Sequence, residues 1–358
     1  MLKGNKGEWS ELFVFFKLLA EKKIFSADEN LEKTSSFVEI KSISRRDSGN
    51  ELNYELNGNV NVIDSLTGLV QFSFSIAKAK EIANNLLNAI KSNKIDKEKF
   101  TKELEPFYIS KVADKSIGKG DINIHIYDPR NGVSSKQQFS IKSFLGSKPT
   151  LFNANATTNI IYKISKTNGD PISDADINLI NTTSGRHKYI SRIKTILDLG
   201  HNIEYHSYQD RIFNLNLQMI DSDLPKILAI IVLDKYINRE IYFSKIISKL
   251  NQTNPIKYDL SEGHKFYEYR LVNFLVEAAL GMTSKTTWSG EYDVVGGILI
   301  VKQDSEILCY HLIDFNKFRT YLKNASKLDN PSGSKMGYGK VYKEGGDTFI
   351  KLNFQIKA

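Results

Sequence analysis

At 358 residues, 41% hydrophobic and 25% charged, the chain has the composition of a soluble globular protein with room for two lobes. Its 49 Lys and Arg against 41 Asp and Glu leave a formal charge of +8, which suits a polyanionic partner and a solvated basic surface equally well. One cysteine, Cys309, excludes an internal disulfide or a cysteine zinc cluster and fits a reducing cytoplasm; the start carries no apolar signal run, and the longest apolar run, 227–233, is too short for a bilayer.

Helical spacing of Trp9, Leu12, Phe13, Phe16, Leu19 and Ala20 predicts a first helix over 7–21. Residues 60–74, with turn signals at Asn57-Gly58 and Thr67-Gly68, read as strands or a hairpin. A second amphipathic helix follows over 76–94. Residues 121–128 alternate, with Ile122, Ile124 and Ile126 on one side and Asp121, Asn123 and His125 on the other. The turn "DPRNG" at 128–132 then leads to a returning strand over 139–144. A polar stretch at 163–184 marks the boundary between an expected lobe 1–165 and a lobe 166–358. Residues 210–250 read as largely helical, with a start signal at Asp223-Leu224-Pro225, and 265–281 as a helix closed by Gly281. A hairpin over 297–301 and 307–313, a helix over 315–323, a Gly/Ser/Lys loop over 330–340 and a last hairpin around "EGGD" complete the chain. This mixture predicts an α/β or α+β protein: a central mixed sheet flanked by helices, plus a lobe of helices and β-hairpins.

The stretch "QFSIKSFLG", 138–146, sets Lys142 among apparent core residues. Burying an ammonium is costly without a partner. Ser140 and Lys142 share a face of the returning strand, and Asp121 opens the other strand on its polar side. If the two polar faces coincide, a carboxylate and a lysine meet, an arrangement suited to phosphodiester hydrolysis. Asp121 can bind a hard divalent cation such as Mg²⁺, with the carbonyl of Ile141 as a further ligand. Lys142 can orient a water and offset transition-state charge. Spacing alone leaves the bland alternatives open: Asp121 as a turn residue after "GKG", Lys142 as a snorkelling edge-strand lysine.

The segments "DINIHI" and "FSIK" resemble the PD-(D/E)XK nuclease core. The N-terminal "GNKGEWSELFVFFKLLAEKKIFSADENL", the central "FSIKSFLGSKPTLFNANATTNIIYKI", the helical "FYEYRLVNFLVEAALGM" and the C-terminal "GGILIVKQDSEILCYHLIDFNKFRTYLKNASKLDNPSGSKMGYGKVY" resemble the HpaII-family type II restriction endonucleases. That resemblance implies Mg²⁺-dependent cleavage of both strands of double-stranded DNA at a short palindrome, CCGG for the founding enzyme. It further implies a homodimer and a cognate DNA methyltransferase. The first lobe would then be catalytic and the second would read DNA. The pattern departs at Ser140, where the nuclease motif has Glu or Asp. The second carboxylate must come from elsewhere, and Glu8 and Glu11 of the first helix are available. Resemblance to nucleases whose leading helix donates a glutamate favours Glu11, although a Glu in a first turn also complements the helix dipole. Asp128 is a rival to Asp121, and His125 shares the polar face. A second arrangement, Asp293 with Lys302, Asp304 and Glu268, ranks below the first. For DNA contacts, "SGRHKYISRIK" offers Arg186, His187, Lys188, Arg192 and Lys194, and the terminal loop offers Lys335 and Lys340. A solvated basic face explains the same residues. Two further functions stay open on sequence grounds, a non-cleaving nucleic-acid-binding protein and a repair or structure-specific nuclease.

Overall fold

A computed structural model describes residues 1–47, 49–114, 120–146, 148–185, 187–292 and 294–358. They form two compact units, Met1–Pro149 with Tyr292–Tyr321, and Thr150–Glu291 with Leu322–Ala358. Set against the expected division at 165, strand Ile160–Ser165 belongs to the second unit and Tyr292–Tyr321 return to the first. Pairing decides both placements: Gly297–Val301 hydrogen-bonds to a strand of the first unit, and Ile160–Ser165 to strands of the second.

The first unit opens with helix α1, Lys6–Glu21. Asn5 caps it by accepting from the Glu8 backbone N–H, and the Glu8 carboxylate accepts from the Asn5 N–H in return. Trp9, Leu12, Phe13, Val14, Phe15, Phe16, Leu18 and Leu19 are all buried, so the helix is enclosed on most sides instead of lying on a surface. Strands β1 (Lys23–Ala27), β2 (Lys33–Asp47), β3 (Asn50–Asn57), β4 (Asn59–Asp64) and β5 (Val70–Phe74) follow, then helices α2 (Ile76–Ser92) and α3 (Lys97–Leu104), and the hairpin β6 (Ile122–Asp128) and β7 (Val133–Ser143).

These strands join Gly297–Val301 and Ile307–Tyr310 in one nine-stranded mixed sheet. The expected central mixed sheet is present, with one feature that the sequence reading did not include. The sheet closes on itself through β1, β2, β6, β7, Gly297–Val301 and Ile307–Tyr310, because β1 pairs with β2 as well as with Ile307–Tyr310. The length of β2 makes this possible. Lys33–Glu39 pair with β1 and Ser42–Asp47 with β3, while register shifts let the strand bend. Gly297 opens its strand at φ +100°, where a Cβ would lie 2.0 Å from the Tyr310 carbonyl oxygen, so glycine is required at this crossing. The core lies between the sheet and helices α1 and α2. Phe13 and Phe16, Ile82 and Leu86, and Ile43, Tyr54, Ile124, Phe139 and Leu299 all meet there. Each large side chain buried this way contributes on the order of 2 kcal/mol.

The second unit holds an antiparallel sheet ordered Asn202–Tyr208, Ile160–Ser165, Asp347–Leu352, Val341–Glu344, and a small sheet of Lys327–Asp329, Gln355–Lys357 and Thr150–Phe152. The predicted helical region 210–250 is three helices, Arg211–Ile220, Leu224–Asn238 and Phe243–Thr253. Helix Phe266–Leu280 ends at Gly281 as expected. Among the described residues, no helix is long and apolar enough to cross a membrane.

Candidate functional site

Pairing between β6 and β7 runs from Asp128↔Val133 to Ile122↔Phe139 and stops there. Past that point β7 continues through Ser140–Ser143, paired on its other edge to Gly297–Val301 in parallel. Asp121 therefore sits where the two strands part. Its backbone N–H donates to the Phe139 carbonyl at 2.9 Å, outside the regular ladder. Its Oδ2 accepts the Ile141 N–H at 2.6 Å and the Ser140 hydroxyl at 3.1 Å. These bonds fix the carboxylate and leave its other oxygen, Oδ1, out of both. Ser140, standing where a carboxylate was expected, thus acts on Asp121 as a hydrogen-bond donor.

Phe139, Ser140 and Ile141 are all buried and Lys142 is half-buried, while the pleat of the strand puts Ser140 and Lys142 on the face opposite Phe139 and Ile141. Within a strand the N–H and C=O of one residue leave by the same edge. The Ile141 carbonyl is therefore on the edge that Asp121 caps.

Glu11, on α1, is half-buried. Burial first, then the negative charges of Asp121 and Glu8, push its carboxyl from 4.5 up to about 8; Arg45 and Lys142 pull it the other way. Two carboxylates sharing a partly desolvated site repel, and a cation between them relieves the repulsion. Among the described residues, no three His, Cys, Asp or Glu side chains are gathered into a metal cage. A donor set of two carboxylates, a strand carbonyl and waters suits Mg²⁺, which keeps much of its hydration and takes few protein ligands.

Sequence reasoning missed Arg45. It is 5% exposed on β2, and its Nη2 donates to the carbonyls of Lys111 and, at 3.0 Å, Val112. It holds the segment that leads toward Asp121 and sets a positive charge beside Glu11. The signal was faint, since "ISRRD" shows which residues are basic but not which one turns inward.

The rival carboxylates have other work. Asp128 is buried and held by the Arg130 guanidinium, with Nε to Oδ1 at 2.9 Å and Nη2 to Oδ2 at 2.8 Å. Those bonds hold its carboxyl below the usual range. Arg130 reaches on to Asp314 at 3.2 Å, so this is a structural clamp at the hairpin end. His125 lies within 2.9 Å of the Ser134 hydroxyl across the hairpin. Lys302 pairs with Glu306 at 3.2 Å and more loosely with Glu32 and Asp304 around a hairpin turn. Glu268 pairs with Lys323 in the second unit, and Asp293 lies outside the described residues.

Of the expected DNA contacts, Arg186 also lies outside the described residues. Lys335 and Lys340 are exposed, and Lys188 is half-buried at the first position of helix Lys188–Asp198. Arg192 is corrected: it is 6% exposed and its guanidinium donates to three backbone carbonyls, so it is not presented to a ligand.

A family model described as HpaII restriction endonuclease matches residues 5–358. A relative, the Type II restriction enzyme HpaII of Haemophilus parainfluenzae, is 36% identical over 358 residues, covering 99% of this chain and 98% of its own length. No solved structure matches the chain significantly.

Proposed function

The chain belongs to the HpaII restriction endonuclease family, and from that premise we propose that it is a type II restriction endonuclease that cuts both strands of double-stranded DNA at the palindrome CCGG, with Mg²⁺ as cofactor. One observation supports the chemistry above the others: the Asp121 carboxylate is held by the Ser140 hydroxyl and the Ile141 N–H of the strand that also carries Lys142. The first unit carries this chemistry on a PD-(D/E)XK-like core, and the second reads DNA.

Asp121 and Glu11 would hold the cation, with the Ile141 carbonyl as a third oxygen. When bound, the cation polarises the scissile phosphate and makes a water easier to deprotonate. Lys142 orients the attacking water and offsets the charge that grows on the phosphate oxygens. Ser140 keeps Asp121 aimed. Water adds to phosphorus, the bond to the 3′-oxygen breaks, and the products are a 5′-phosphate and a 3′-hydroxyl. The positive charge of Arg45 limits the repulsion between the two carboxylates.

One such site cuts one strand, so cleavage of both strands of a palindrome calls for two copies related by a two-fold axis. Lys188, Lys335 and Lys340 are the cations offered to the DNA backbone or bases. Such a nuclease also needs a cognate DNA methyltransferase to protect its host's sites. The test is digestion of a mapped plasmid with Mg²⁺, followed by sequencing of the fragment ends. Discrete fragments ending within CCGG with 5′-phosphates support the proposal. Nicks or trimmed ends would instead mark a structure-specific nuclease, and a duplex bound but never cut would mark a non-catalytic binder.

A further inference from the structure

The segment 331–341, "PSGSKMGYGKV", has the composition of a slack loop, yet it forms a helical turn at Gly333–Met336 that carries Lys335 and is otherwise tied down by hydrogen bonds. The Tyr338 hydroxyl donates to the Pro331 carbonyl at 2.9 Å. Asn159 Nδ2 donates to the Met336 carbonyl at 2.9 Å, and the Gly339 N–H donates to the Lys351 carbonyl at 2.8 Å. Asn181 takes both polar groups of Val341, accepting its N–H at 3.0 Å and donating to its carbonyl at 2.8 Å. The Tyr338 and Tyr189 rings lie 4.7 Å apart. Gly339 has φ +83°, and a Cβ there would lie 2.1 Å from the Tyr189 ring, so the loop meets helix Lys188–Asp198 with no room to spare.

Arg192 joins these pieces. From inside the helix its Nη1 donates to the Gly339 carbonyl at 2.5 Å, and its Nη2 to the carbonyls of Asn181 at 2.8 Å and Thr183 at 3.1 Å. One guanidinium thus bonds the loop to the end of helix Asp174–Thr182 and to its own helix. What the pinned loop presents is Lys335 and Lys340, both exposed. Lys188 stands one residue before Tyr189 at the helix start. Among the described residues, none of these three lysines has an acidic partner within salt-bridge distance, whereas Lys163, Lys249 and Lys343 of the same unit do.

We propose that Arg192 is a positioning residue: a latch that holds the loop against helix Lys188–Asp198 so that Lys335 and Lys340, with Lys188, meet the DNA backbone as one preorganised contact. Fixing such a loop beforehand lowers the ordering cost that binding must otherwise meet. The proposal rests on the reading that this chain binds duplex DNA. It deepens that reading by assigning the buried arginine an indirect role and the two loop lysines a direct one.

The test is a mutant cycle on affinity, without divalent metal, for a duplex carrying CCGG and one with the site scrambled. Lys335→Ala with Lys340→Ala should weaken both duplexes by about ten-fold and flatten the salt slope by nearly two, since phosphate contacts act without regard to sequence. Arg192→Met should weaken binding by a similar factor, and Arg192→Lys by less. Introduced into the double lysine variant, Arg192→Met should add less than about two-fold, because it acts through lysines already gone. At saturating DNA with Mg²⁺, the cleavage rate of Arg192→Met should match the parent. Equal losses from Arg192→Met in both backgrounds, or no loss at all, would overturn the latch, as would unchanged affinity in the double lysine variant. Should Arg192→Met lose its native circular dichroism, Gly339→Ala carries the same cycle, since it keeps the guanidinium but forces the loop off Tyr189. If the unmodified protein bound neither duplex, the underlying DNA-binding reading would fail, and that outcome is distinct from failure of the latch.

Discussion

Replacing Glu11 by Gln should make the protein inactive and more stable together. Burial and Asp121 push this carboxyl from 4.5 up to about 8 in the folded protein. Between those values the folded chain keeps a proton that the unfolded chain has released. The stability contributed by this one group is therefore fully present below about pH 4.5 and is lost as the pH rises through about 8. At about 1.4 kcal/mol per pH unit, the interval gives a ceiling of about 5 kcal/mol. Solvent access to a half-buried side chain brings the expected effect to about 2 kcal/mol. Gln fills the same space and cannot ionise, so it escapes the loss. Thermal unfolding without divalent metal should show parent and Glu11→Gln together near about pH 5. Near about pH 9 the variant should be higher by about 3 °C. Adding Mg²⁺ at the higher pH should raise the parent and leave the variant where it was, since a ligand stabilises only the fold that binds it. A variant equally or less stable than the parent at both pH values would refute the account of Glu11 as a strained carboxylate that waits for a cation.

Two further substitutions separate the site from its surroundings. Arg45→Met removes the donor to the Lys111 and Val112 carbonyls and the positive charge beside Glu11. It should lower stability by roughly 2–3 kcal/mol in urea unfolding and reduce cleavage as well, and an unchanged midpoint would contradict its buried role. Asp128→Asn breaks the Arg130 clamp and should cost about 1–3 kcal/mol while cleavage at saturating DNA persists. Loss of cleavage without loss of stability would move the metal site to that end of the hairpin.

Much of the candidate site was legible because it is local. The alternation Ile122, Ile124, Ile126 and the turn at 128–132 are enough to place Asp121 just before one strand of a hairpin and Lys142 on the other. The helical stripe from Trp9 likewise marks α1, from which Glu11 projects. What stayed hidden depends on distant partners. The parallel pairing of Phe139–Ser143 with Gly297–Val301 joins segments far apart in sequence, and no local pattern announces it. Strand β2 mixes polar and apolar residues because its edges serve three neighbours, which blurs any period-two signal. Arg192 shows a different failure. Read as one residue of a basic run, it looks like a ligand contact. On a helix it shares a stripe with Ile193 and Ile196, which face the interior, and the guanidinium goes in with them. Ser140 looked like a defect in a metal site until its hydroxyl was seen to hold Asp121.

The central claim is that Asp121 and Glu11 hold a divalent cation while Lys142 drives attack on the phosphate. The most direct measurement is Lys142→Ala assayed side by side for duplex binding and for cleavage with Mg²⁺. The account predicts affinity for a CCGG duplex within a few-fold of the parent and cleavage reduced by about 10²–10³ or more, as expected when one group that stabilises transition-state charge is removed. Parent-like cleavage by Lys142→Ala would contradict it.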